Sequence, residues 1–110
     1  MSVFSDFEKA VLSGAKSLAQ GTFKGFVTEA ENDAKSFLKQ SEADLKQWTS
    51  ELASGELTKD EFTDLIEGEK DLAELDALTQ AGRALADLQR FRAGLVQLVL
   101  DAAFKTFLPV

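Results

Sequence analysis

The chain of 110 residues has no cysteine, no histidine and no tyrosine, and its one proline is Pro109. Without cysteine there is no disulfide framework and no thiol nucleophile. Without histidine the usual proton shuttle near neutral pH is missing, and with cysteine absent too, so are most ligands for transition metals. Ferritin-like di-metal bundles need Glu-x-x-His on their helices and are excluded on the same ground. No nucleophile stands beside a base and no glycine-rich phosphate loop occurs, so the chain is read as non-catalytic, with no cofactor and no metal. No stretch of about twenty residues is free of charge, which argues against a transmembrane helix. The first residues, Met1 to Glu8, have neither a basic opening nor a long apolar run, so no secretory signal is expected and a cytoplasmic location is.

Basic residues are also scarce. Twelve Lys and Arg stand against nineteen Asp and Glu, for a net charge of −7. The imbalance is local: residues 56 to 76 hold nine acids and two bases, which is the whole net charge, and the remainder is balanced. An acidic segment on a neutral body is the opposite of a nucleic-acid-binding surface.

What is present is helix-forming sequence throughout: abundant Ala, Leu, Glu, Lys and Gln, few β-branched residues and no internal proline. Hydrophobic residues make up 45% of the chain and charged residues 28%, enough for a folded core rather than a disordered tail. The reading is one all-α domain over residues 1–110.

Its centre is Trp48 to Phe62. Gly55 stands where a helix would close with a left-handed residue. Thr58 and Glu61 form a capping box that opens the next helix, and Leu57 and Phe62 flank it as a hydrophobic staple. Asp60 and Glu61 place negative charge at the positive end of that helix. An EF-hand alignment on Gly55 fails, because Ser50 and Leu52 fall where the first calcium ligands belong. The stretch Gly55 to Phe62 also resembles the turn of short helical-hairpin modules such as the SHOCT domain. That resemblance implies a hairpin and carries no chemistry.

A tight turn at 55–57 divides the chain into two arms of similar length, so the expected architecture is a long antiparallel helical hairpin. In the first arm, Phe4, Phe7, Val11, Leu12, Ala15, Leu18 and Ala19 make one stripe over 3–20. Gly21 and Gly25 then interrupt, and Thr28 with Glu31 offers another capping box. A break or kink at 21–27 is favoured over a straight run, which would make three helices. Over 28–54, Ala34, Leu38, Ser41, Leu45, Trp48 and Leu52 follow the spacing of a coiled-coil seam. The second arm, 58–107, keeps a helical stripe from Phe62 to Ala103, and as one helix it would span about 75 Å. Gly68, Gly82 and Gly94 are its candidate bends.

If the hairpin closes at the turn, paired positions sum to about 113, and apolar residues then face apolar residues along its length. Leu52 meets Phe62, Leu38 meets Leu75, and Phe4 and Phe7 meet Phe104 and Phe107. The terminal end collects aromatic residues, while the acidic turn lies at the opposite end. Two helices cannot bury such an end alone. Either residues 3–20 fold back as a third helix or a second chain covers it. The expectation is a homo-oligomeric helical bundle, a dimer above all, acting as scaffold, adaptor or assembly subunit. Its interface is assigned to Phe4, Phe7, Val11, Leu18, Phe23, Phe26, Phe91, Leu95, Leu98, Val99, Phe104 and Phe107. An unidentified protein partner at the acidic segment is a further expectation.

Glu67, Asp71 and Glu74 share a helical face that suits hard cations, but no loop gathers them, and a solvated acidic face is preferred. Arg83, Arg90 and Arg92 suit phosphate, yet pairing with Glu29 or Glu31 on the other arm accounts for Arg83. Phe4, Phe7, Val11, Leu18, Phe23 and Phe26 with Lys9, Lys16 and Lys24 also suit a helix lying on a membrane surface, which is the alternative function.

Overall fold

Local stop signals decide how this helix-rich chain is cut. The computed structural model describes residues 3–22, 25–70, 75–82 and 84–108, with backbone alone at Thr22, Lys70 and Asp76. Among the described residues there are six α-helices and no strand: α1 Val3–Thr22, α2 Val27–Gln40, α3 Glu42–Ser54, α4 Lys59–Lys70, α5 Asp76–Gln80 and α6 Leu85–Phe107. The chain is all-α.

The glycines divide into two kinds. Gly25, Gly55 and Gly82 have φ of +90°, +87° and +83°, in the left-handed region where a side chain would be strained; Gly55 follows α3, Gly82 follows α5 and Gly25 precedes α2. Gly68 and Gly94 lie inside α4 and α6 and bend nothing into a break. At Gly55 the amides of Glu56 and Leu57 both donate to the Glu51 carbonyl, at 2.8 and 3.1 Å, which closes α3.

Two expected helices are divided. The segment 28–54 is interrupted at Ser41, where φ −95° and ψ 5° leave the helical region for one residue. The hydrogen-bond ladder is nearly kept, since Ser41 N–H donates to Phe37 O and Leu45 N–H to Ser41 O. The result is a kink between α2 and α3. The single helix over 58–107 is also corrected: it falls into α4, α5 and α6. Gly82 turns left-handed and Ala84 is extended (ψ 148°) immediately before α6. The Thr28 capping box is not what opens α2, which begins at Val27 behind Phe26 with no side-chain cap.

These breaks let the chain fold across itself. α3 packs on α4, α2 on α5 and α1 on α6, and α1 also packs on α2 while α6 packs on α3 and α4. Along α1 and α6 the register is antiparallel: Phe7 meets Phe107, Gly14 receives Leu98, and Leu18 fills the notch at Gly94. The last two contacts are reciprocal, a leucine of each helix seated on a glycine of the other. A Cβ on either glycine would collide with that leucine's Cδ2.

The molecule measures 42 × 26 × 22 Å with a radius of gyration of 13.7 Å. A compact globule of this length has a radius near 13 Å, so the extended rod of about 75 Å does not form. Burial explains the difference. Phe7, Val11, Ala15 and Ala19 of α1, Phe62 and Ile66 of α4, and Phe91, Leu95 and Val99 of α6 share one core with Leu45 and Leu52 of α3. Each helix buries one stripe, as amphipathic helices do, and an extended two-helix rod would leave much of that surface wet.

Candidate interaction surfaces

The folded-back path corrects the expected separation of the two ends. Phe62, at the start of α4, lies 5.9 Å from Phe104 near the end of α6. Lys59 places its ammonium 5.5 Å from the Phe104 ring, and Lys46 of α3 lies 5.6 Å from the Phe4 ring. The turn therefore sits beside the terminal aromatic cluster and helps to cover it. Both cations stand at distances where the ring quadrupole attracts them.

The turn residues take the places that their chemistry suggests. The Thr58 amide donates to Glu61 Oε1 at 2.9 Å, and the Glu61 amide donates to Thr58 Oγ1 at 3.1 Å. Phe62 is buried and Leu57 half-buried beside it. Gly55 is the left-handed residue between α3 and α4.

The residues assigned to an oligomer interface separate into classes. Phe7, Val11, Phe91, Leu95 and Val99 are fully buried within this one chain and present nothing to a partner. Phe4, Leu18, Phe26, Leu98, Phe104 and Phe107 are half-buried and pack on the core from outside. Phe23 lies outside the described residues, as does Lys24. Of the two ways to cover the aromatic end, α1 folding back on its own chain supplies much of the cover. Among the described residues, the large hydrophobic side chains left exposed are Val3 at 54% and Leu85 at 65%.

Among the described residues four polar side chains are buried, Asp33, Ser41, Thr49 and Glu69, and of these only Ser41 stands in the expected seam. Asp33 of α2 is 3% exposed, and its two carboxylate oxygens accept the amides of Ala77 and Leu78 at 2.9 Å each. These are first-turn amides of α5, so a carboxylate from a distant helix caps it and meets the positive end of its dipole. Ser41, at the kink, donates to Glu69 Oε2 of α4 at 2.9 Å, and both residues are buried. A signal was present in the spacing. Asp33 shares the stripe of Ala30, Ala34 and Phe37, and Glu69 follows Phe62 and Ile66 on theirs, so each is an acid on a core stripe.

The outer face of α4 carries exposed Asp60, Glu61, Asp64 and Glu67. Of the proposed cation ligands, Asp71 and Glu74 lie outside the described residues. Among the described residues no group of three or more metal-ligating side chains gathers. Arg83, and with it the pairing to Glu29 or Glu31, is also outside them. Glu31 pairs within its own helix with Lys35 at 3.6 Å.

A groove of about 410 Å³ runs between the first half of α1 and the second half of α2. Its floor is Leu12 and Leu38, and Lys9, Lys35 and Lys39 stand along its walls with Glu8 and Glu42. Glu42 is held by Lys46 at 3.0 Å. No ion pair among the described residues engages Glu8, Lys9 or Lys39. Also among the described residues, no helix is long and apolar enough to cross a membrane. Comparison with protein-family models, with curated proteins and with solved structures returns no match for this chain.

Proposed function

We propose that this chain is a non-catalytic interaction protein of the cytoplasm that associates with itself, as a dimer, and serves as a scaffold, adaptor or assembly subunit. The observation that carries the reading is the set of apolar side chains left half-open on the terminal helices. Phe4, Leu12 and Leu18 of α1 and Leu98, Phe104 and Phe107 of α6 stay half-buried after the core has closed, with Val3 exposed at the same end as Phe4. Apolar surface gathered on one pair of helices favours a helix-on-helix contact between copies. The non-catalytic part rests on the residue inventory, which lacks histidine, cysteine and tyrosine.

The membrane-surface alternative uses the same helix differently. It requires α1 to leave α2 and α6, because Phe7, Val11, Ala15 and Ala19 are buried against the chain's own core. Self-association needs no such rearrangement, which makes it the better supported of the two.

Sedimentation velocity over a micromolar to millimolar concentration series tests the proposal. The expected result is a concentration-dependent rise to twice the 12.0 kDa chain mass. A compact monomer across the whole range would overturn it.

A further inference from the structure

The groove between α1 and α2 has a charge order that matches itself. Its lining residues on α1 are Ser5, Glu8, Lys9 and Leu12, those on α2 are Lys35, Leu38 and Lys39, and Glu42 opens α3 just past the kink at Ser41. Each set has the three-and-four spacing of a single helix face. The short connection at 23–26 sends α2 back along α1, so these faces run in opposite directions. The order along the groove is then Ser5 level with Glu42, Glu8 with Lys39, Lys9 with Leu38, and Leu12 with Lys35. Glu8 and Lys39 stand at one level on opposite walls, yet form no ion pair within the chain.

We infer that this groove is the seat of a second copy of the chain, related by a two-fold axis lying along the groove. The inference rests on the self-association proposed above; of the apolar residues named there it uses Leu12, and it places the contact on the α2 side of α1. An axis in that direction lays α1 of each copy on α2 of the other and keeps the levels matched. Glu8 of one copy then faces Lys39 of the other, twice, and the four charges form an alternating square. Lys35 faces the half-buried Leu12, where the methylene stem of a lysine covers a leucine while its head stays wet, and Lys9 lies level with Leu38, which its own chain buries. Glu42 faces the Ser5 hydroxyl. No like charges are opposed at any level, which is what an isologous interface needs, since the same patch must serve as both partners. A two-helix face the length of α1 is roughly 30 Å by 20 Å, the low end of one side of a standard interface. The exposed acids of α4, Asp60, Glu61, Asp64 and Glu67, do not line the groove.

Charge exchange tests this directly. Glu8→Lys makes the square all positive and Lys39→Glu makes it all negative; opposing like charges in this way is strongly unfavourable. Each variant alone is expected to dimerise at least about tenfold more weakly than the parent chain. An equimolar mixture of the two is expected to form a heterodimer, and the chain carrying both substitutions to recover the homodimer. Helicity by circular dichroism confirms that each variant is folded, and sedimentation reads the mass. If the parent chain dimerises and neither reversal weakens it, the groove is not the interface, while self-association stands. If the reversals dissociate the dimer but the mixture does not reassemble, the two-fold arrangement is overturned. A parent chain that stays monomeric overturns both the groove and the proposed function.

Discussion

Asp33 brings a carboxylate into the core and spends both oxygens on the first-turn amides of a five-residue helix. A helix that short has no stability of its own in water, so α5 depends on what holds its ends. Asp33→Ala removes two hydrogen bonds to an acceptor that is 3% exposed and leaves one buried and one half-buried N–H group unpaired. A loss of about 2–4 kcal/mol is expected, read as a fall in the urea midpoint. Asp33→Asn keeps one acceptor and should recover part of it. A change below about 0.5 kcal/mol in the alanine variant would mean that the cap contributes little. Thr58→Ala is the exposed counterpart. It breaks one half of the reciprocal pair with Glu61, and a cost of about 1 kcal/mol is expected by the same measurement.

At the level of the element, the glycines separate propensity from conformation. Gly68 lies inside α4 with open space where a Cβ would go. Gly68→Ala should therefore stabilise the fold by about 0.5–1 kcal/mol. Gly82 also has open space, but its φ is +83°. Gly82→Ala should destabilise by about 1–2 kcal/mol. Equal effects at the two sites in paired denaturation curves would contradict this assignment of the chain break. The turn was legible because all its cues lie within a few residues: Gly55 for the left-handed stop, Thr58 and Glu61 for the box, Leu57 and Phe62 for the staple. The cut in the second arm was not, because Gly82 and Gly94 look alike as letters. One is a left-handed turn and the other a notch for Leu18. What separates them is the presence of α1 against α6, which no local window contains.

For the whole molecule, the path of the chain sets its size. Solution scattering from the Lys39→Glu chain, which the proposed interface would hold monomeric, is expected to give a radius of gyration near the 13.7 Å of the single copy. A rod of about 75 Å would instead give a radius above 20 Å, roughly its length divided by the square root of twelve. The fold-back also changes what the acidic segment is for. Lys59 over Phe104 and Phe62 against Phe104 tie its beginning to the end of α6, so the turn is part of the cover over the terminal aromatic residues.

The sequence by itself determined the helical class, the stripe on each helix and the capped turn at Gly55 to Phe62, because propensity, periodicity and capping act over a few residues. It also determined the absence of histidine and thiol chemistry, which is a matter of inventory. Only the tertiary structure decided that α1 and α6 interlock through Gly14 with Leu98 and Gly94 with Leu18, and that Asp33 caps α5. It also decided that, of the aromatic residues assigned to a partner, Phe7 and Phe91 are buried and Phe4, Phe26, Phe104 and Phe107 half-buried by their own chain. A helical stripe says only that one face must leave water. Its own chain and a second copy remove the same apolar area, and the breaks at Gly25 and Gly82 allow the first to happen within one molecule.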